Sequence, residues 1–178
     1  MECTTLNTES VTNDTLKMLN CYIIQYRDSL VNVSSRITND RAGSEDIVQD
    51  VCLSLVSTAD QFRGQSSPKT YLYRIVVNRS IDFVRKAKRT KVVFDTILNE
   101  HDNQESRPDY YEVKDLTRKL LSTIPNEFKV PLTLAEIEGM SYEEISGILN
   151  ISLNTVRSRI FRCRERLKKE FKKLGIEP

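Results

Sequence analysis

Apolar residues along this chain recur at three- and four-residue spacing rather than in alternation, so the pattern predicts an all-α protein. From Leu16 to Thr38 the helical spacing is sustained, and Asn39, Asp40 and Gly43 then interrupt it. A second helix is expected from about Ser44, which is placed to cap it, with Glu45 and Asp46 in the first turn where the helix dipole favours acids. Ile47, Val51, Leu55 and Val56 give that helix a core face. The segment FRGQSSP, Phe62 to Pro68, reads as a turn-rich loop. Pro68 suits the first position of a third helix, expected to run to about Lys88 with Leu72, Val76 and Phe83 turned inward.

Between Thr90 and Glu112 the periodicity dissolves into a stretch where Asp95, Glu100, Asp102, Glu105, Asp109 and Glu112 outnumber the basic residues. That change of composition marks a linker. The fold expected is therefore two small helical domains joined by an acidic linker: a loosely ordered 1–15, a first domain over 16–90, the linker over 91–112 and a second domain over 113–174. In the second domain Leu116, Leu120 and Leu121 predict a short helix from Val113 to Ser122, and IPNEF introduces another. Pro131 falls inside the latter, where a missing backbone donor costs up to about 3 kcal/mol, so a kink or a late start is expected. A helix-turn-helix, Met140 to Phe171, closes the chain, with Asn150 at its tight turn as a residue that tolerates left-handed backbone.

The last helix has sorted faces. Val156, Ile160, Cys163, Leu167 and Phe171 form a packing stripe, and Arg157, Phe161, Arg164 and Lys168 lie on the other side. Arginines with an exposed aromatic suit the major groove of DNA, where guanidinium reads guanine edges and apolar groups touch the thymine methyl.

Composition sharpens this. The chain has 178 residues, 39% hydrophobic and 29% charged, which places it in the soluble globular class. Net charge is +2, yet from Ile151 to Lys173 nine Lys or Arg stand against Glu165 and Glu170, a local field suited to a polyanion. The polar opening and the lack of a long apolar run predict a protein neither exported nor inserted in a membrane, working in the cytoplasm. Cys3, Cys21, Cys52 and Cys163 are scattered without a CxxC pair, the usage of a reducing compartment. His101, the single histidine, lies in a polar segment, so no metal or other cofactor is expected.

A second basic surface lies on the third helix, where Tyr71, Arg74, Asn78, Arg85, Lys88 and Arg89 fall within about 100° of one another. Such a face can hold phosphates and stack an unpaired base. Asp46 and Asp50 sit four apart on the second helix with Gln49 and Glu45 close by, which raises a metal or acid-base reading. The set lacks a third ligand or a nucleophile, and an acidic patch for docking on a basic partner fits better.

Three blocks in order, GSEDIVQDVCLSLVSTADQFRG, TYLYRIVVNRSIDFVRKAKR and IPNEFKVPLTLAEIEGMSYEEISGILNISLNTVRSRIFRCRERL, resemble the two domains of an extracytoplasmic-function sigma factor, the smallest class of bacterial sigma-70-family initiation subunits. The absence of a middle helical domain agrees with that class. The resemblance implies a non-enzymatic subunit, with no catalytic residues, that binds core RNA polymerase through its beta-prime and beta subunits. It implies that Asp46, Gln49 and Asp50 dock on the beta-prime clamp helices. It further implies that Phe62, Arg63, Gln65, Lys69, Tyr71, Arg74, Asn78 and Arg85 engage the minus-ten element of promoter DNA and capture a flipped base. Thr155, Arg157, Ser158, Phe161, Arg162 and Arg164 match the positions that read the minus-thirty-five element, and the acidic linker would thread the channel that later carries RNA. Relatives are often held inactive by an anti-sigma factor, a further candidate partner that no single residue here identifies. The family usually has Trp at Tyr71, Ala at Cys163 and no proline at Pro131.

Two rivals remain open from sequence. One is a stand-alone helix-turn-helix regulator with an N-terminal sensor, which would have no need of the acidic helix and the FRG loop. The other is a metal-dependent nucleic-acid hydrolase built on Glu45, Asp46 and Asp50.

Overall fold

The computed structural model describes residues 5–58, 62, 64–98 and 120–173, with side chains placed for most of these from Thr15 onward. Among the described residues there is no strand. The elements are α1 (Thr5–Thr38), α2 (Arg41–Thr58), α3 (Pro68–Leu98), α4 (Asn126–Glu136), α5 (Tyr142–Leu149) and α6 (Leu153–Lys173), with residues 120–123 helical ahead of α4.

Helices α1, α2 and α3 pack on one another as a bundle. α1 begins at Thr5, inside the segment expected to be loosely ordered, and ends where Asn39 takes left-handed backbone at φ 58°. α2 starts at Arg41, three residues before the start expected at Ser44. The reason is Asp40, whose Oδ1 accepts the Gly43 N–H at 3.0 Å and so takes the capping role. Ser44 is instead buried inside the turn, its hydroxyl on the Asp40 carbonyl and beside Thr38 Oγ1. Gly43 is fixed by crowding, because a Cβ there would fall 2.6 Å from Asp40 Oδ2 and 3.0 Å from Phe83 Cζ. Phe83, expected in the core, therefore covers Gly43 at the bundle surface and stays 37% exposed. Ile47, Val51, Leu55, Leu72 and Val76 are buried as the spacing implied. α3 continues ten residues past Lys88, so residues 91–98, expected in the linker, are helical.

Helix α4 starts at Asn126 and runs through Pro131, so the proline does not delay the helix. Phe128 to Leu134 are all buried, and that packing against α1, α5 and α6 offsets the lost backbone donor. Arg166 of α6 lies over the Phe128 ring, 4.3 Å from its centre. The chain leaves α4 through Gly139 at φ 62°, with Met140 N–H closing on the Leu134 carbonyl at 3.1 Å. Ser141 then caps α5 in a reciprocal box with Glu144, a pairing that the sequence SYEE encodes locally. Asn150 takes left-handed backbone at φ 51°, the conformation expected of it, and Ser146 closes the turn by donating its hydroxyl to the Ile151 carbonyl at 2.6 Å.

The apolar core is continuous across both halves, from Leu19, Leu30 and Tyr73 to Ile145, Ile160 and Cys163. Cys163 is fully buried, and desolvation pushes its thiol up to about 11.

Removing core volume separates buried from exposed leucines. Leu72→Ala should cost about 2–5 kcal/mol in urea unfolding, whereas Leu53→Ala, on an exposed position of α2, should stay within about 0.5 kcal/mol. The raised Cys163 thiol also makes a signed prediction. The folded state favours the neutral thiol, so its contribution is complete below pH 9 and is lost as pH rises toward 11. Unfolding free energy measured across that window should fall more steeply for the wild type than for Cys163→Ala, and equal slopes would sink the assignment.

Candidate nucleic-acid interface

The second helix of the helix-turn-helix is α6. Burial of Val156, Ile160 and Cys163 fixes its rotation, so the direction most fully outward passes through Ser158, Phe161 and Arg162. Phe161 is 64% exposed, with nothing apolar to cover it. Arg157 is exposed and reaches back to Asn154 Oδ1 at 3.5 Å. At the start of the helix Ser152 accepts the Thr155 N–H and pairs with the Thr155 hydroxyl at 2.8 Å, so Thr155 is half-buried and already engaged. Ser158 bonds the Thr155 carbonyl. Arg164 sits nearer the packing stripe than the sequence wheel suggested, and its guanidinium is tied to Glu136 at the end of α4. That hydrogen bond raises its pKa further above neutrality.

The second surface lies on α3 and the loop before it. Ser67 caps α3, accepting the Thr70 N–H at 3.1 Å. Phe62 packs edge-to-face on Tyr71, ring centres 5.0 Å apart, so the expected stacking residue has an aromatic companion from the loop. Lys69 holds its ammonium over the Tyr26 and Tyr73 rings, 5.5 and 6.0 Å from their centres. Gln65 is exposed, and Arg74 is half-buried with its Nε–H unpaired. Asn78 and Arg85 line a groove of about 630 Å³ whose other wall is Asn126, Pro131, Leu149 and Arg159. Arg85 is paired with Asp82 at 3.3 Å. Arg63, His101 and Cys3 lie outside the described residues.

On α2, Asp46, Gln49 and Asp50 are exposed along one face, while Glu45 is turned to Arg41 at 2.9 Å. Sequence reasoning missed Leu53. It stands seven residues after Asp46, on the same face by helical spacing, and is 66% exposed amid the acidic and amide side chains. Its spacing was a readable signal. It also missed Tyr73, whose hydroxyl donates to Glu138 Oε2 at 2.6 Å across 65 residues of sequence, a contact with no local signature.

Among the described residues no helix is long and apolar enough to cross a membrane. The solved sigma factor RpoE of Bartonella quintana, crystallised with the anti-sigma factor NepR, superposes with a TM-score of 0.68 at 24% identity, covering 88% of this chain and 98% of that one. CnrH in complex with the cytosolic domain of CnrY gives 0.67 at 17% identity, covering 91% and 95%. These likenesses establish the fold. In sequence, the family described as Sigma-70 region 2 matches residues 22–90 and Sigma-70 region 4 matches residues 114–167. The ECF RNA polymerase sigma-E factor of Escherichia coli K12 is 30% identical over 169 residues, 88% of each chain, and that of Haemophilus influenzae 28% over 178 residues, 93% and 94%. A reading helix with a bare aromatic-arginine face, a basic-aromatic third helix and an acidic second helix thus stand within one two-region family, and the stand-alone regulator and the hydrolase give way to it: the chain belongs to the extracytoplasmic-function class of sigma-70 factors, subunits that direct RNA polymerase to particular promoters.

Proposed function

We propose that the three surfaces divide initiation among them, and that the carrying observation is the outward Phe161–Arg162 face of α6 set opposite a fully buried stripe. Phe161 meets a thymine methyl and Arg157, Arg162 and Arg164 meet guanine edges of the minus-thirty-five element, with Thr155 and Ser158 near the backbone. Arg164 must first leave Glu136, which costs little because both side chains are about half exposed.

The loop and α3 take the minus-ten element. Phe62 and Tyr71 offer an aromatic corner for a displaced base, with Arg63 and Gln65 on the same loop. Lys69, Arg74, Asn78 and Arg85 bind the strand alongside it. The unpaired Nε–H of Arg74 is the kind of orphan donor found on groups that await a partner.

The acidic face of α2, Asp46, Gln49 and Asp50, docks on the clamp helices of the polymerase beta-prime subunit, and Leu53 supplies the apolar centre that charges alone lack. The regions act as domains over 16–90 and 113–174, and the intervening acidic segment follows the RNA channel along beta-prime and beta. The protein works in the cytoplasm and makes or breaks no covalent bond itself. An anti-sigma factor is a further partner, by analogy with the complexes of the two structural relatives.

Run-off transcription with core polymerase on a promoter library tests the whole reading: the protein should select a two-element promoter, and loss of selection on replacing α6 surface residues should map to the upstream element. Phe161→Ala or Arg162→Ala should each lower use of that promoter about 5- to 150-fold, the equivalent of about 1–3 kcal/mol per contact. Equal loss on promoters lacking the upstream element would contradict the assignment. Leu53→Ala should weaken core binding about tenfold or more while leaving the fold and promoter choice intact. Unchanged affinity in a direct titration against core polymerase would remove Leu53 from the docking surface.

A further inference from the structure

Beside the end of α1 lies a cavity that none of the three surfaces uses. Its volume is about 570 Å³, within the range of small-molecule sites, and α1 walls it with Asn32, Ser35, Arg36 and Asn39. Arg41, the first residue of α2, stands beside them, and Leu121 and Ser122 close the cavity from the other half of the chain. Asn126 helps to hold that wall against α1 by donating to the Ile37 carbonyl at 3.4 Å. Small-molecule pockets are lined mainly by apolar groups, whereas Leu121 is the single apolar side chain among the described residues lining this one. Such a lining suits a strongly polar occupant.

Charge decides its sign. Two guanidiniums line the cavity, and among the described residues that line it there is no carboxylate. Arg41 donates from Nε to Glu45 and from Nη1 to Asn32 Oδ1, both at 2.9 Å, so its fork is oriented while Nη2 keeps no partner among the described residues. Glu45 offsets part of that charge. Arg36 joins no ion pair among the described residues, and its Nε–H is buried without an acceptor. An orphaned buried donor calls for an acceptor that the chain itself does not supply. The carbonyl end of α1 disfavours an anion here and the N-terminus of α2 favours one, so the two helix dipoles oppose each other. The side chains decide, and a phosphate, which accepts bidentate bonds from arginine, uses more of these donors than a lone carboxylate would.

We propose that this cavity is a binding site for a small phosphorylated anion, a nucleotide or a free polyphosphate, held by Arg36 and Arg41 with Asn32 and Asn39 beside them. The site is complete only while residues 121–122 stand against α1, so its occupant touches both halves and is linked to their contact. None of its lining residues belongs to the faces assigned to polymerase or to DNA, and the inference is independent of those assignments.

The test is a titration of the full-length free protein with inorganic pyrophosphate at low ionic strength, followed by calorimetry and by amide NMR shifts. Pyrophosphate should bind with a Kd of about 10 μM to 1 mM, and the shifts should centre on residues 32–41 and 121–122. Arg36→Gln should weaken it about tenfold or more. Arg41→Gln, on a more exposed side chain that the fold tolerates, should also weaken it, whereas Arg27→Gln, elsewhere on α1, should change it less than about twofold. Magnesium-free ATP and adenosine separate the sources: ATP binding more tightly than pyrophosphate identifies a nucleotide, equal affinity identifies the free anion, and adenosine alone should not bind. Absence of any pyrophosphate or ATP binding up to about 10 mM would overturn the proposal. So would shifts centred on residues 157–164 of α6, which would mark a phosphate resting on the basic helix, or an affinity that neither Arg36→Gln nor Arg41→Gln alters.

Discussion

Helix α3 has three neighbours to satisfy, and the rest of the molecule follows from how its circumference is divided. Leu72 and Val76 are spent on the bundle with α1 and α2. Tyr71, Arg74, Asn78 and Arg85 lie on the face proposed for nucleic acid, and Thr70 and Tyr73 are buried, Tyr73 bonding Glu138 of the other half of the chain. Tyr73 is the demanding member. A buried ring contributes a large apolar area, but its hydroxyl must find an acceptor or the burial is costly. Glu138 is that acceptor. Burial and the adjacent carboxylate both push the Tyr73 phenol well above its ordinary value, so it remains a neutral donor throughout the physiological range. Ionisation of the phenol therefore does not break the contact between the halves.

The charged groups on the proposed DNA-binding surfaces are held differently. Arg164 rests on Glu136, Arg85 on Asp82 and Lys69 over two tyrosine rings. The ion pairs are solvent-exposed, and pairs of that kind contribute about 0–1 kcal/mol, too little to compete with a phosphate or a guanine edge. They restrain long side chains without committing them. Arg74 differs, since its buried Nε–H has no acceptor, and the free chain carries that deficit until a partner relieves it.

Much of this was legible in the sequence because it is local. The packing stripe of α6, the left-handed turn at Asn150 and the acidic face of α2 each follow from spacing within one element. The misses are equally physical. Ser44 looked like a cap because Ser and Asp compete for that role, and Asp40 won by standing one residue ahead of the helix. Residues 91–98 looked like linker because their charges were weighed, although Val92, Val93, Phe94, Ile97 and Leu98 carry helical spacing. At Pro131 a kink or a late start is expected from propensity alone, and the helix nonetheless starts at Asn126 because burial overrides it. Phe83 was turned inward on a wheel, and its actual place was set by Gly43 on another helix. Tyr73 and Glu138 meet across the whole fold, which no window on the sequence contains.

Leu53 and Phe161 repeat one arrangement with opposite signs. Each is a large apolar side chain left bare at the centre of a charged face, acidic on α2 and basic on α6. A lone exposed apolar residue is ordinary, but Leu53 shares its face with Asp46 and Asp50, and Phe161 stands beside Arg157, Arg162 and Arg164. Charges of that kind steer encounter and reject wrong partners, while residence depends on the apolar contact they surround. A net charge of +2 therefore conceals two faces of opposite sign, the basic one proposed for nucleic acid and the acidic one for polymerase. Opposed signs favour different ligands at the two faces, which suits the proposed bridging of a protein and a polyanion by one small chain.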